Sequence, residues 1–374
     1  MTLLQPQLPD RFKSMSDEDV HALITDHKAK LGERCVILGH HYQRDEVIRH
    51  ADYTGDSLKL ARVARDLGET PYIVFCGVHF MAETADILTS PSQEVSLPDL
   101  QAGCDMADMA ETWDVEAAWD EAMTALGTTE PGTGNCQKIV PVTYINSKAS
   151  LKAFVGDHGG TICTSGNARA VIEWALARGD HLFFFPDQHL GRNICKAMGF
   201  DPEKDMLLWD PKKPLGGHTR EKIRDTRIWL WQGHCPVHAL FTLHQIKKIR
   251  LESPETRIIV HPECAMEVVD ASDMSGSTEQ IIRAIESSPS GSRWAVGTEK
   301  HLVERLAADN RDKVITSLNP YTCLCGTMNR ISARHLAWVL DDLVQGKPMR
   351  NRITVDEKTA LASRVALDRM FNLN

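Results

Sequence analysis

The sequence predicts an α/β protein: three pseudo-threefold-related, three-layer α/β/α domains with parallel sheets around a central site. Two observations predict it. Short runs rich in β-branched and aromatic residues alternate with amphipathic helical stretches, the pattern of βαβ units. In addition, four features recur in the same order three times along the chain.

The first feature is a strand running into polar residues: VILGHHY at 36–42, VTYIN at 142–146 and IIVHPE at 258–263. The second is a polar or glycine-containing turn that opens a helix, at Gly55-Asp56-Ser57, Thr164-Ser165-Gly166-Asn167 and Gly276-Ser277-Thr278. From strand end to helix-opening hydroxyl the steps are 17 residues (His40 to Ser57), 21 (Tyr144 to Ser165) and 17 (His261 to Thr278). The third is a further strand with a short helix: YIVFCGVHFMAETADIL, HLFFFPDQHLGRNICKAMG and RWAVGTEKHLVERLA. The fourth is a cysteine: Cys104, Cys235 and Cys325. This reading gives an N-terminal helical arm over 1–31 and a first domain of 32–112 plus about 345–374. The second domain then covers 113–236 and the third 237–344. The helical segment from about Val355 is expected to return to the first domain. Ligands of open parallel sheets bind beyond the carboxyl ends of the strands, so three copies facing one axis imply one cavity.

Composition narrows the function. The net charge is −9 and no Lys/Arg block is dense enough to follow a phosphate backbone, which argues against nucleic acid as a partner. No apolar run approaches a membrane span, and MTLLQPQLPDRF does not read as a secretory leader, so a cytoplasmic address is expected. Ten cysteines in a reducing compartment point to metal or catalytic use rather than disulfides. Cys35, Cys76 and Cys163 lie in apolar strand-like runs and read as small core residues.

Cys104, Cys235 and Cys325 are 131 and 90 residues apart, one per repeat. Three thiolates suit three irons of a [4Fe–4S] cluster and leave the fourth iron open, a Lewis acid suited to dehydration. Unconnected core thiols and structural zinc are the alternatives on spacing alone. The third repeat also offers Cys323, and Cys264 is a thiol the repeat does not select. Ser57, Ser165 and Thr278 read as N-caps or as anion-binding helix openings, with Ser277 and Gln280 fitting a capping box. His40 and His261 hold matching strand-end positions, suited to donating to a carboxylate or moving protons. Tyr42 and Tyr144 offer phenolic donors. Glu263 is the general-base candidate, with burial expected to raise its pKa. His79, His189 and His301 read as packing residues or as supports behind the site residues.

These motifs resemble the A-type quinolinate synthases of bacterial NAD biosynthesis. The likeness runs from about Cys35 to Phe371 through GHHYQ, GDSLKLA, GVHFMAE, TYINS, CTSGNA, PDQHLG, GHCPVH, VHPEC, GST and GTE. The resemblance implies condensation of iminoaspartate with dihydroxyacetone phosphate to quinolinate, with loss of phosphate and two waters. It also implies a supply of iminoaspartate from an aspartate-oxidising enzyme. By motif it implies a [4Fe–4S] cluster on Cys104, Cys235 and Cys325, the last because the family's ligand cysteine stands three residues before a methionine, here Met328. It further implies substrate contacts from His40, Ser57, Tyr144, Asn146, Ser165, His261, Glu263 and Thr278. Proton transfer would fall to Tyr42, Glu263 and His261, with His238 beside the second cysteine. Rival readings are another three-cysteine hydro-lyase, or a metal sensor that binds a dicarboxylate.

Overall fold

The computed structural model describes residues 5–127, 137–321 and 324–373. The chain divides into two compact units. The first comprises Met1–Cys104, Glu299–Arg311 and Tyr321–Asp356; the second comprises Asp105–Thr298, Asp312–Pro320 and Glu357–Asn374.

The first unit holds β1 (Cys35–His40), β2 (Tyr53–Gly55), β3 (Tyr72–Cys76) and β4 (Glu94–Ser96) as a parallel sheet in the order β4-β3-β1-β2. β1 is CVILGH, nearly continuous apolar residues buried on both faces, as a strand with helices on either side requires. Gly39 sits where a Cβ would lie 2.5 Å from Ile48 Cδ1, so only glycine lets the next short helix approach the strand end. The helices Asp17–Leu31 and Ala333–Val344 pack together in this unit. There Asp341 accepts from Arg11 and faces His27 Nε2 at 3.2 Å.

The second unit carries two more sheets. One is β6-β5-β7-β9-β8, from β5 (Ile139–Tyr144), β6 (Thr161–Cys163), β7 (His181–Phe185), β8 (Met206–Trp209) and β9 (Ile228–Trp231). The other is β11-β10-β12-β13, from β10 (Arg257–Val260), β11 (Met274–Ser275), β12 (Arg293–Gly297) and β13 (Val314–Ser317). All pairings in these two sheets are parallel. Numbered within each copy, all three sheets share the order 2-1-3, the β-level form of the sequence repeat; the sheets of β1 and β10 continue to strand 4, and that of β5 reads 2-1-3-5-4. Phe183, Phe184, Phe185, Trp209, Trp229 and Trp231 fill the five-stranded sheet's core, with Phe183 and Trp229 edge to face at 5.5 Å. Finally β14 (Arg352–Ile353) adds antiparallel to β4 in the first unit. Among the described residues no helix is long and apolar enough to cross a membrane.

The units depart from the expected boundaries in three places. Residues 105–112 belong to the second unit, where Trp231 Nε1 donates to Met109 O at 2.6 Å. Residues 299–311 and 321–344, expected in a third domain, belong to the first unit; Arg305 there donates to His41 O and Gln43 O. The C-terminal helix Glu357–Phe371 packs against Ala149–Asp157 and β6, not on the first sheet. Thr161 Oγ1 donates to Ala366 O at 3.1 Å, Ser363 Oγ to Ala149 O at 3.0 Å, and Arg369 Nη1 to Gly160 O at 2.6 Å. An amphipathic pattern shows that a helix has a packing face, but not which surface receives it.

The closest approach in that packing is at Gly156, where a Cβ would lie 2.0 Å from Ala362 O. Gly156→Ala should therefore lower stability by about 2 kcal/mol through overpacking, read from denaturant unfolding. An unchanged midpoint would mean that the C-terminal helix docks elsewhere.

Candidate functional site

The second unit assembles a buried polar network at its strand ends. Tyr144 closes β5, His261 and Glu263 follow β10, and His238 stands in the single helical turn His238–Leu240. Tyr144 Oη donates to Glu263 Oε1 at 2.7 Å, and His238 Nδ1 lies 2.9 Å from Glu263 Oε2. Facing a carboxylate, His238 Nδ1 carries the proton, so Nε2 accepts from Thr298 Oγ1 at 3.2 Å. The His238 ring stacks on His261 with centroids 4.6 Å apart.

The charge state of Glu263 differs from the sequence expectation. Burial alone raises a carboxyl pKa, and Glu263 is only 3% exposed. Yet the opposing influence of His261 and His238, with hydrogen bonds from His238 and Tyr144, outweighs burial and holds Glu263 down to about 2. The raised pKa expected of a buried base is thus overturned. His261, by contrast, is pushed down to about 3 by burial, against the pull of Glu263, so its ring is neutral near pH 7.

His40 and His261, matched in the sequence repeat, are matched in hydrogen bonding. In the first unit Tyr42 N–H donates to His40 Nδ1 at 3.1 Å. In the second, Glu263 N–H donates to His261 Nδ1 at 3.3 Å. In each case the backbone two residues on occupies Nδ1, which assigns the proton to Nε2 and makes it a donor. Tyr42 packs edge to face on His40 at 4.7 Å. The loop of His40 and Tyr42 is further tied inside the first unit, Gln43 Nε2 donating to Met328 O at 3.3 Å and Arg44 Nε to Asn329 Oδ1 at 2.7 Å.

The helix-opening hydroxyls are not the caps. Asp56 caps Ser57–Asp66 by accepting from Lys59 N–H at 2.9 Å, and Ser277 caps Thr278–Glu286 in the expected capping box with Gln280. Ser57 and Thr278 are instead the first helical residues, among the outward-facing N–H groups. Ser165 lies in the turn before Ala168–Leu176, where Asn167 Oδ1 accepts from Thr164 N–H at 2.7 Å. A Cβ on Gly166 would lie 3.7 Å from Ser277 Oγ, so the openings bearing Ser165 and Thr278 are neighbours in the second unit. Asn146 Oδ1 is buried with no hydrogen-bond partner among the described residues.

Burial sorts the cysteines. Among the eight described, Cys35, Cys76, Cys163, Cys195 and Cys264 are buried, whereas Cys104, Cys235 and Cys325 are half-buried. Burial pushes the Cys35 and Cys195 thiols up to about 12, and Cys76 and Cys163 well above the ordinary value. Such thiols resist forming the thiolate a metal needs. Cys264 Sγ faces Gly297 O at 3.8 Å. Cys323 lies outside the described residues. Cys104, Cys235 and Cys325, one from each sequence repeat, are thus the described cysteines that are not shut away from solvent. Separately, Cys235, His238 and Glu263 bring ligand atoms within 4.8 Å of one another, close enough to share an ion.

Sequence reasoning missed Asp187, Thr298 and Glu299. Asp187 caps Gln188–Ala197, its Oδ1 accepting from His189 N–H at 2.7 Å and Leu190 N–H at 3.2 Å. Burial, together with the charge of Glu263, pushes its carboxyl well above the usual range. A signal was present: PDQHL and TEKHL both place an acid two residues before a histidine at a helix start.

Tyr144→Phe should remove one donor to a buried carboxylate and lower stability by about 2 kcal/mol in denaturant unfolding. Because Glu263 is held below its ordinary value of 4.5, its contribution is present above that pH and lost as pH falls toward about 2. In Tyr144→Phe this contribution should shrink and its acid loss begin at higher pH. An acid-unfolding profile identical to the parent's would remove Tyr144 from the network.

Comparison with known proteins bears on this arrangement. The model of the quinolinate synthetase A protein family matches residues 23–372. The chain is 51% identical to quinolinate synthase of Corynebacterium glutamicum over 369 residues, 99% of this chain and 91% of that one. It is 49% identical to the quinolinate synthase of Geobacillus kaustophilus, covering 98% and 97% of the two chains. Against that of Streptomyces coelicolor the identity is 50%, over 98% and 91%.

Proposed function

The chain belongs to the quinolinate synthetase A protein family, an enzyme family of NAD biosynthesis, and on that premise we propose that it condenses iminoaspartate with dihydroxyacetone phosphate to quinolinate, releasing phosphate and two waters. The observation that carries the reading is a half-buried cysteine beside a buried Tyr–Glu–His network: Cys235, His238 and Glu263 within 4.8 Å, with Tyr144 bonded to Glu263. We assign a [4Fe–4S] cluster to Cys104, Cys235 and Cys325. When bound, a cluster with one open iron supplies Lewis-acid assistance to dehydration.

The protein's own groups do the rest. His40 and His261 each offer an Nε2–H to a substrate carboxylate, and Asn146 Oδ1 offers an unpaired acceptor. The first-turn N–H groups near Ser57, Ser165 and Thr278 receive carboxylate or phosphate oxygens, supported by the helix dipole. Glu263 at a pKa of about 2 is a weak base while Tyr144 and His238 hold it. Substrate that draws those two donors onto its own oxygens leaves the carboxylate buried with fewer partners. Burial then raises its pKa, and Glu263 takes a carbon-bound proton. Tyr42 moves a proton on the side of His40.

An imine such as iminoaspartate hydrolyses in water, so an aspartate-oxidising enzyme working alongside is the proposed source. Cys35, Cys76, Cys163 and Cys195 stay as buried thiols, which supports a cytoplasmic location.

The test is anaerobic reconstitution followed by quinolinate assay with both substrates. The parent should bind iron and sulfide in equal amounts and form quinolinate. Cys325→Ser should lose the cluster while Cys323→Ser keeps it. Glu263→Gln should keep the cluster and lose turnover by roughly 10²- to 10⁴-fold. Metal uptake without any quinolinate would instead favour a dicarboxylate-binding sensor.

A further inference from the structure

In each repeat the helix after the second core strand opens against the approach to the candidate ligand cysteine. At the start of His79–Leu88, His79 N–H donates to Ala102 O at 2.8 Å, two residues before Cys104. At the start of Gln188–Ala197, Gln188 N–H donates to Gly233 O at 3.0 Å, two residues before Cys235. In the third copy the tie runs through a side chain. Glu299, the N-cap of Lys300–Asp309, accepts at Oε1 from the backbone N–H of Cys325 itself, at 3.4 Å.

Glu299 is built for such a task. Its side chain is 0% exposed. Oε2 accepts from His301 N–H at 2.8 Å and from Leu302 N–H at 3.4 Å, which locks the carboxylate onto the helix end. Oε1 faces His301 Nδ1 at 3.1 Å, so the imidazole supplies a second hold on the oxygen that reaches Cys325. A cap needs only one carboxylate oxygen. The second oxygen, with its own histidine, is surplus to capping and is spent on the cysteine loop. The first two ties are made by backbone and survive any side-chain change, so the third is the one that a substitution can cut.

We propose that Glu299 is a positioning residue for Cys325, holding the third ligand cysteine in place before and after a cluster binds. The ligand role of Cys325 rests on the function proposed above; the tether itself does not.

The test uses the full chain in two states. In the cluster-free protein, alkylation of Cys104, Cys235 and Cys325 by iodoacetamide is followed by mass spectrometry. Glu299→Ala should speed alkylation at Cys325 by about tenfold, the order expected for loss of one charge-assisted hydrogen bond, with Cys104 and Cys235 unchanged. Glu299→Gln keeps a carbonyl oxygen for capping, so it guards against simple unfolding; it should give a smaller increase at Cys325 alone. In the reconstituted protein, iron extraction by a chelator should be faster in both variants. Equal rates at Cys325 in parent and variants would overturn the proposal, as would a uniform increase at all three cysteines. If the parent takes up no iron and sulfide, the cluster assignment fails, while the alkylation result still decides the tether.

Discussion

A carboxylate shut away from water must be matched by donors, and in the second unit Glu263 is matched by two sequence-distant residues at once, Tyr144 and His238. Tyr144 comes from the end of one sheet, Glu263 itself follows the end of another, and His238 comes from a turn that belongs to neither. The network can form only when both sheets carry their strand ends to the same place. Its demand for partners thereby fixes the registers of β5 and β10 relative to the His238 turn. His238 is fixed in turn by Thr298, whose position follows directly from β12. The parallel sheets supply direction; the buried charge supplies the reason for precision.

Much of this was legible in the sequence, and the reason is periodicity. A parallel sheet buries both faces of its strands, so VILGHHY, VTYIN and IIVHPE stand out as apolar runs that stop at polar residues. Those stops carry the residues proposed for the site. The equivalence of His40 and His261, seen as a matched position, reappears as a matched hydrogen bond to Nδ1. The shared 2-1-3 strand order is the same repeat at the level of pairing.

What escaped the sequence depends on long-range placement. The sign of the Glu263 shift is set by His261, two residues away, together with His238, 25 residues away, and Tyr144, 119 residues away, and no local pattern reveals the last two. The Ser277–Gln280 box was read from the sequence, but the cap before Lys59 was misplaced by one residue because Asp56 and Ser57 are both good openers, and only backbone dihedrals separate cap from first turn. The acids Asp187 and Glu299 were visible but silent, since an acid at a helix start is ordinary until its second oxygen is traced.

The return of the C-terminal helix to Ala149–Asp157 has a consequence for how the molecule is made. Neither compact unit is a continuous stretch of chain: the polypeptide passes between them at residues 104/105, 298/299, 311/312, 320/321 and 356/357. On the ribosome, the first unit therefore lacks part of its core until Asp356 has emerged. The second lacks part of its core until Ala366, Leu367 and Met370 have emerged as well. A gene cut at any single point between the codons of residues 105 and 356 divides both units. Recombination that exchanges one half of such a gene would break both cores, which favours inheritance of the chain as a single block.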